Sequence, residues 1–344
     1  MRIAMPARIL DRHVGGNTTY ARRIAEGITQ HGHEVVTMPA SSRPELTMLR
    51  ETAYGLSRGN RGTVCHYVAD TGPLVRTRNP SVVTVHGIAS RWTPVARTSR
   101  QEAVWRYRVQ RAIMATDALI TVSRSSARDV AAVFGVKETD INVIPHGIDV
   151  GRFSEPTPLS AEGADWNLPK DFVLYLGNIE PRKNVANLVR AFQTDELRGL
   201  GLPLVIAGKP AWNYADAMAE IESADNVIHL GFVSDQDRVA LMQRCSLFVF
   251  PSYYEGFGFP VLEAMAAGAV VACTKRGSLD EVAGPAVPID DLTPEGLAYV
   301  VQISLADSPM RTQCAEQGLA WANKFSWEKS VSQHIKVYRQ VTNK

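Results

Sequence analysis

Short unbroken apolar runs alternate along this chain with longer stretches whose apolar positions recur three or four residues apart. In the first half the runs are Ile3–Ala7, Glu34–Met38, Val64–Val68, Val82–His86, Ala118–Val122 and Ile141–Ile144. Runs of this length, bounded by turn residues, predict buried strands. Thr18–Gln30, Arg100–Ala115 and Ser125–Phe134 carry helical periodicity between them. Such alternation predicts a doubly wound parallel sheet. The aperiodic stretch SEPTPLSAEGADWNLPK then reads as a linker. After it the pattern restarts, with strands predicted at Phe172–Leu176, Leu204–Ala207, Val227–Leu230, Leu247–Phe250 and Val270–Cys273. Near the end, Val331, Ile335, Val337 and Tyr338 form one apolar stripe of a helix over about Trp327–Val341. The expected organisation is a first domain over 1–155, a linker over 156–170, a second domain over 171–325 and a closing helix over 326–344. Two Rossmann-like halves imply a central cleft, a common place for ligands.

Composition narrows the class. The 344 residues are 45 % hydrophobic and 21 % charged, enough for two ordinary cores. No run of 18 apolar residues occurs, and Met1–Met5 opens a strand rather than the apolar stretch of a leader. The expected location is the cytoplasm. Cys65, Cys245, Cys273 and Cys314 are isolated, which predicts buried reduced thiols rather than a metal site. The net charge of +2 hides an asymmetry: residues 1–150 hold 20 Lys and Arg against 12 Asp and Glu, and the remainder holds 17 against 23. A basic first half suggests an anionic partner.

The densest chemistry lies in Pro251-Ser-Tyr-Tyr-Glu255-Gly-Phe-Gly-Phe-Pro260-Val-Leu-Glu263-Ala-Met-Ala-Ala-Gly268. It follows a strand and opens a helix, with Pro260 fitting the first turn. Gly256 and Gly258 let the backbone approach a ligand closely. Glu255 is expected on the loop and Glu263 in the first helical turn, both at the carboxyl end of a strand, where open α/β sheets bind ligands. An ordinary strand–turn–helix with one exposed and one dipole-pairing Glu is the plainer alternative. Arg182 and Lys183, in Tyr175-Leu-Gly-Asn-Ile-Glu-Pro-Arg-Lys-Asn184, stand where a helix is expected to start. Two cations beside a positive dipole are unfavourable unless an anion such as a diphosphate sits between them. Asp235-Gln-Asp237 has metal-motif spacing, but Ser234 before it makes a capping box the better reading.

Glu255-x7-Glu263 within EGFGFPVLEAMAAG resembles the signature of the retaining GT-B-fold glycosyltransferases of family 4. GGNTTY near the start and FSWE near the end match in the same order, so the resemblance covers almost the whole chain. It implies transfer of a sugar from a nucleotide-diphosphate sugar to an acceptor hydroxyl with retention of configuration. No carboxylate is an obvious nucleophile, so a front-face route is expected, with charge stabilisation by Arg182 and Lys183 and neither metal nor other cofactor required. The resemblance also implies donor-sugar contacts for Glu255 and His86, and a ribose contact for Glu263. Backbone groups of Gly256, Phe257, Gly258 and Phe259 would meet sugar or phosphate. Gly15, Gly16 and Asn17, after Val14, would meet the phosphates from the first domain. Gly208, Phe232 and Val233 would lie near the base. The usual Asp after the histidine is replaced by Gly87.

EPRKN with EGFGFPVLEA is similar to mannosyltransferase-like members, which makes GDP-mannose the first guess and UDP-sugars a close second. The acceptor stays open among glycan, lipid-linked sugar and small molecule. Arg91, Trp92 and Trp105 lie in a basic, aromatic segment up to Arg111. That segment could rest on an anionic inner membrane face, or be a helix with Trp105 inward and its arginines in water. His146 resembles a turn residue at the hinge. Nucleic acid is not an expected partner, since no binding motif occurs. No Gly-x-Gly-x-x-Gly follows an early strand and no Walker loop occurs. The competing functions are an inactive nucleotide-sugar-binding protein of the same fold and a membrane-recruited scaffold.

Overall fold

The structure is a computed structural model that describes residues 1–12, 15–58, 62–306 and 308–343. It divides into two compact units, each around a six-stranded sheet whose strand pairings among the described residues are parallel. The first sheet holds β1 (Arg2–Pro6), β2 (Glu34–Met38), β3 (Thr63–Tyr67), β4 (Ser81–Val85), β5 (Ala118–Thr121) and β6 (Ile141–Val143) in the order β2-β1-β3-β4-β5-β6. In the second, β7 (Val173–Leu176), β8 (Leu204–Ala207), β9 (Val227–Gly231), β10 (Leu247–Phe250), β11 (Val271–Cys273) and β12 (Val287–Pro288) run β12-β11-β10-β7-β8-β9. Strand order reverses at β1/β3 and at β7/β10. Such reversals are where open α/β sheets bind ligands.

All eleven expected strands form, because runs such as Leu247–Phe250 are buried on both faces, as parallel strands between helices must be. β12 escaped the pattern reading: it has two residues, one of them Pro288, and pairs only at the sheet edge. Helix limits follow local chemistry. Thr98 and Gln101 form a reciprocal capping box for the helix Ser99–Ala115. Gly135, in left-handed conformation, ends the helix Arg124–Phe134.

The unit boundary falls between Gly147 and Ile148, and the stretch expected as a linker lies inside the second unit. Its physical reason is a set of side-chain anchors. Phe153 is buried, Gln243 bonds to Thr157 and to the Phe153 carbonyl, and Ser160 caps a short helix at Ala161–Ala164. Ser160 also donates to Asp237 from both its amide and its hydroxyl at 2.8 Å. Only half of a capping box forms: the Asp237 N–H donates to Ser234 Oγ, while the Asp237 carboxylate accepts from the Ser160 and Ser234 hydroxyls.

From Phe325 onward the chain belongs to the first unit. The helix Trp327–Thr342 lays Val331, Ile335, Val337, Tyr338 and Val341 into the core formed by Ile3, Met5, Tyr20, Ile24, Ile28 and Val64. Contact with the helix Gly16–Gln30 is close enough that a Cβ on Gly27 would sit 2.4 Å from Val331 Cγ2. Among the described residues, no helix is long and apolar enough to cross a membrane.

Candidate functional site

In the second unit, the loops after β7 and β10 bring Glu180, Arg182, Lys183 and Glu255 together. Pro181–Lys183 is a single 3-10 turn, and the helix Val185–Phe192 starts only after Asn184, which adopts a left-handed conformation (φ 59°). The cations therefore precede the helix by a turn of their own, rather than occupying its first turn. Arg182 Nη1 donates to the Tyr254 carbonyl at 2.5 Å and lies 2.9 Å from Glu255 Oε1. Its Nη2 donates to Glu180 Oε1 at 2.5 Å, and Lys183 Nζ donates to the same Glu255 oxygen at 2.6 Å. Glu180 is held on its other oxygen by the Trp212 indole N–H at 2.8 Å.

Burial opposes ionisation of Glu255, yet Lys183 and Arg182 outweigh it and hold the carboxyl down to about 2. Lys183 is pressed downward by burial, with Glu255 opposing. For the pair we take the ionised carboxylate against the ammonium, because Arg182 stands on the same oxygen and keeps it charged. Lys183 and Glu255 are each only 8 % exposed. Glu255 is thus tied to the two cations rather than lying open on its loop.

Backbone geometry around Glu255 is equally constrained. Ser278 donates to the Glu255 carbonyl from its amide (3.0 Å) and its hydroxyl (2.9 Å). Gly277 has φ +62°, and a Cβ there would lie 2.7 Å from that carbonyl oxygen. Gly258 caps the helix Phe259–Ala266 with φ +99°, and Phe257 and Phe259 meet edge to face at 5.3 Å; Gly256 precedes them on the same loop. Glu263 is the fifth residue of that helix, so it lies in the second turn, not the first. There Arg238 Nη1 donates to its Oε2 at 2.5 Å. Gly208, after β8, can be nothing larger: an added Cβ would fall 1.8 Å from the Gly177 oxygen. Beyond it Lys209 Nζ lies 4.4 Å over the Phe232 ring, with Phe232 exposed and Val233 half-buried.

The first unit gathers a different set. Gly15 starts the helix Gly16–Gln30 with φ +121° and accepts the amides of Thr18 and Thr19 at 3.0 Å; Asn17 is half-buried, and Val14 lies outside the described residues. His86 leaves β4 with its backbone N–H on Asp70 Oδ1 at 2.8 Å and its ring Nε2 on the Val68 carbonyl at 2.8 Å. Asp70 itself takes a left-handed conformation (φ 58°). The ring of Tyr20 stands edge-on to His86 at 5.0 Å, and His146 lies 5.5 Å from His86 and 4.8 Å from Tyr20. His146 is buried, and burial holds it well below its ordinary value. It is a packed member of this cluster, placed just before the unit boundary at Gly147.

In the basic segment Trp105 faces inward, as the second expectation had it, but several of its arginines are paired rather than standing alone in water. Trp105 packs against the core, with Arg97 over its ring at 4.4 Å. Arg97 and Arg106 are both paired with Glu102, Arg91 with Asp129, and Arg111 donates to the Leu74 carbonyl. Large apolar side chains lie on its outward face: Val104, Tyr107 and Met114 are 53, 60 and 61 % exposed, and Trp92 is exposed as well. Asp70, Glu180, Trp212, Arg238, Gly277 and Ser278 were not singled out by sequence. Their one visible signal is place, since most follow the carboxyl end of a predicted strand.

Comparison with known proteins follows the same division of the chain. Residues 160–321 match the family model "Glycosyl transferases group 1", and residues 63–152 match "Glycosyltransferase Family 4". The O-antigen chain mannosyltransferase B of Escherichia coli is 36 % identical over 174 residues, 49 % of this chain and 45 % of that protein. The chain spans less than half the length of the first curated relatives it matches. Among solved structures, sucrose-phosphate synthase of Thermosynechococcus elongatus superposes with TM-score 0.77 at 20 % identity, covering 98 % of both chains. Anabaena Alr3699/HepE, in complex with UDP and glucose, gives 0.73 at 18 % identity over 99 % of this chain and 100 % of that one. Those two likenesses concern the fold, which is of the GT-B type. On the motifs, the two sheets and the two family matches together, the chain belongs to the group 1, family 4 glycosyltransferases.

Proposed function

We propose that the protein is a retaining hexosyltransferase that takes a sugar from a nucleotide-diphosphate donor, GDP-mannose first and a UDP-sugar second. The carrying observation is the convergence of Arg182 and Lys183 on one Glu255 oxygen at the β7/β10 reversal, where an α/β sheet binds ligands. A donor diphosphate would draw both cations onto its own oxygens and release Glu255 toward the sugar hydroxyls. Mannosyltransferase relatives support the first donor, and the UDP complex of the Anabaena neighbour supports the second.

The chemistry then balances on one face of the sugar. The bond from C1 to the leaving phosphate oxygen breaks, and the bond from the acceptor oxygen to C1 forms on the same side. The acceptor's proton passes to the departing phosphate oxygen. Arg182 and Lys183 stabilise the charge that develops there, the work a metal would otherwise do. Glu263, oriented by Arg238, would accept from the ribose hydroxyls.

The acceptor is a glycan, lipid-linked sugar or small molecule. The exposed apolar side chains Val104, Tyr107 and Met114, beside exposed Arg100, support work at an anionic membrane face. Tyr107→Glu should then abolish co-sedimentation with anionic vesicles, and unchanged sedimentation would remove the membrane from the reading.

The decisive experiment is thermal stabilisation by GDP, UDP and ADP, each without metal. A nucleotide at about 100 times its dissociation constant should add about 2.7 kcal/mol. Stabilisation by one of them, lost in Arg182→Ala, supports the reading, and no response to any nucleotide sinks it.

A further inference from the structure

The first unit buries a polar network that the proposed transfer does not use directly. Tyr20, His66, Thr84, His334 and Tyr338 are all fully buried. Tyr20 Oη lies 2.9 Å from Thr84 Oγ1 and 2.7 Å from His334 Nε2. Thr84 Oγ1 lies 2.8 Å from His66 Nε2, and His66 Nδ1 lies 2.8 Å from Tyr338 Oη. At the far end, His334 Nδ1 lies 2.8 Å from the Ser330 carbonyl.

That carbonyl sets the direction of every bond in the network. It can only accept, so His334 carries its proton on Nδ1. Full burial with no carboxylate among its partners keeps the ring neutral, and its Nε2 is a lone pair. Tyr20 must therefore donate to His334, which leaves the Tyr20 oxygen to accept from Thr84. Thr84 has spent its one proton and accepts from His66 Nε2–H. His66 Nδ1 then accepts from Tyr338. The bonds run one way, from Tyr338 through β3, β4 and the helix Gly16–Gln30 back to His334, beginning and ending on the C-terminal helix.

Tyr20 is also a wall of the His86 site, edge-on at 5.0 Å and 83°. His86 gives its Nε2–H to the Val68 carbonyl, and in the neutral imidazole this leaves Nδ1 as a hydrogen-bond acceptor. We propose that Tyr20 and His334 are positioning residues: the one-way chain fixes the Tyr20 ring, and that ring fixes the His86 imidazole with Nδ1 free to accept from a sugar hydroxyl. This rests on reading His86 as a donor-sugar contact.

Three variants test it. Tyr20→Phe keeps the ring and removes its hydroxyl, His334→Leu removes the acceptor, and His334→Gln retains one. Imidazole 15N spectra of the full chain should show one Nε2–H tautomer of His86 in the wild type and a tautomer mixture in Tyr20→Phe and His334→Leu. With a nucleotide sugar, kcat should fall on the order of tenfold in those two, with KM within about twofold. His334→Gln should recover most of both signals. A folded Tyr20→Phe with His86 spectrum and kcat unchanged overturns the proposal, and it carries the test alone where His334→Leu does not fold. Absence of turnover in the wild type would instead count against the transferase reading, while the spectra still decide the positioning claim.

Discussion

At the carboxyl ends of β7 and β10, the second unit packs two cations and two carboxylates beside Phe250. Around β3 and β4, the first unit packs two histidines, two tyrosines and a threonine with no formal charge among them. Both are buried polar clusters, yet they answer the cost of burial differently. The neutral network matches every donor to one acceptor, which is how a buried polar group becomes rigid and structural. In the ionic cluster two cations crowd one carboxylate oxygen, an arrangement that an incoming anion can rearrange without stranding a group. Reading binding from charge and positioning from neutral closure is the lesson of the pair.

The largest expected effect breaks the ionic side. Glu255→Gln leaves Arg182 and Lys183 facing each other in a closed place, and should destabilise by about 3–5 kcal/mol. A thermal melt reads this directly, and GDP or UDP should restore part of the loss; a melt like the wild type's would mean the cations are already satisfied elsewhere. Acid should break the neutral side next. Burial holds His334 down to about 4 against an ordinary 6.5, and lowers His66 and His146 as well. The unfolded chain takes up the proton that the native ring refuses. This stability is therefore present above 6.5 and is lost as pH falls toward about 4, worth about 3 kcal/mol for His334. Urea midpoints near pH 7.5 and about pH 4.5 should differ accordingly, and the difference should shrink in His334→Gln.

Arg182→Ala should lower turnover on the order of 100-fold with the fold intact, the scale for losing one donor to a developing charge. Wild-type turnover would remove Arg182 from the phosphate site. Smallest is Thr84→Val, which interrupts the chain between Tyr20 and His66 and should cost about 1–2 kcal/mol in a denaturant titration. No change there would mean that the link is ornamental.

Strands were legible because parallel strands covered on both faces must be continuously apolar, as Leu204–Ala207 and Leu247–Phe250 are. Glu255, Arg182 and Lys183 were legible because charges at the end of such a strand stand out. Their mutual pairing was not, since it depends on how two loops 72 residues apart meet. Asn184 in left-handed conformation, which ends one turn before the next helix begins, also left no periodic trace. The basic segment misled for a similar reason. Glu102 takes two arginines at once, and composition cannot show which side of a helix its neighbours occupy.

The closing helix has a consequence for the order of folding. A Cβ on Gly147 would sit 2.1 Å from the Trp327 amide nitrogen, and Tyr20 bonds to a residue 314 positions later. On the ribosome the first unit thus emerges with its core open and its Tyr20 hydroxyl lacking His334. The second unit can complete itself while the first waits. Contacts of such long range slow folding and extend the lifetime of exposed apolar surface. The unit translated first is therefore the last to finish, and a chain stopped before Phe325 would release a folded second unit joined to an incomplete first.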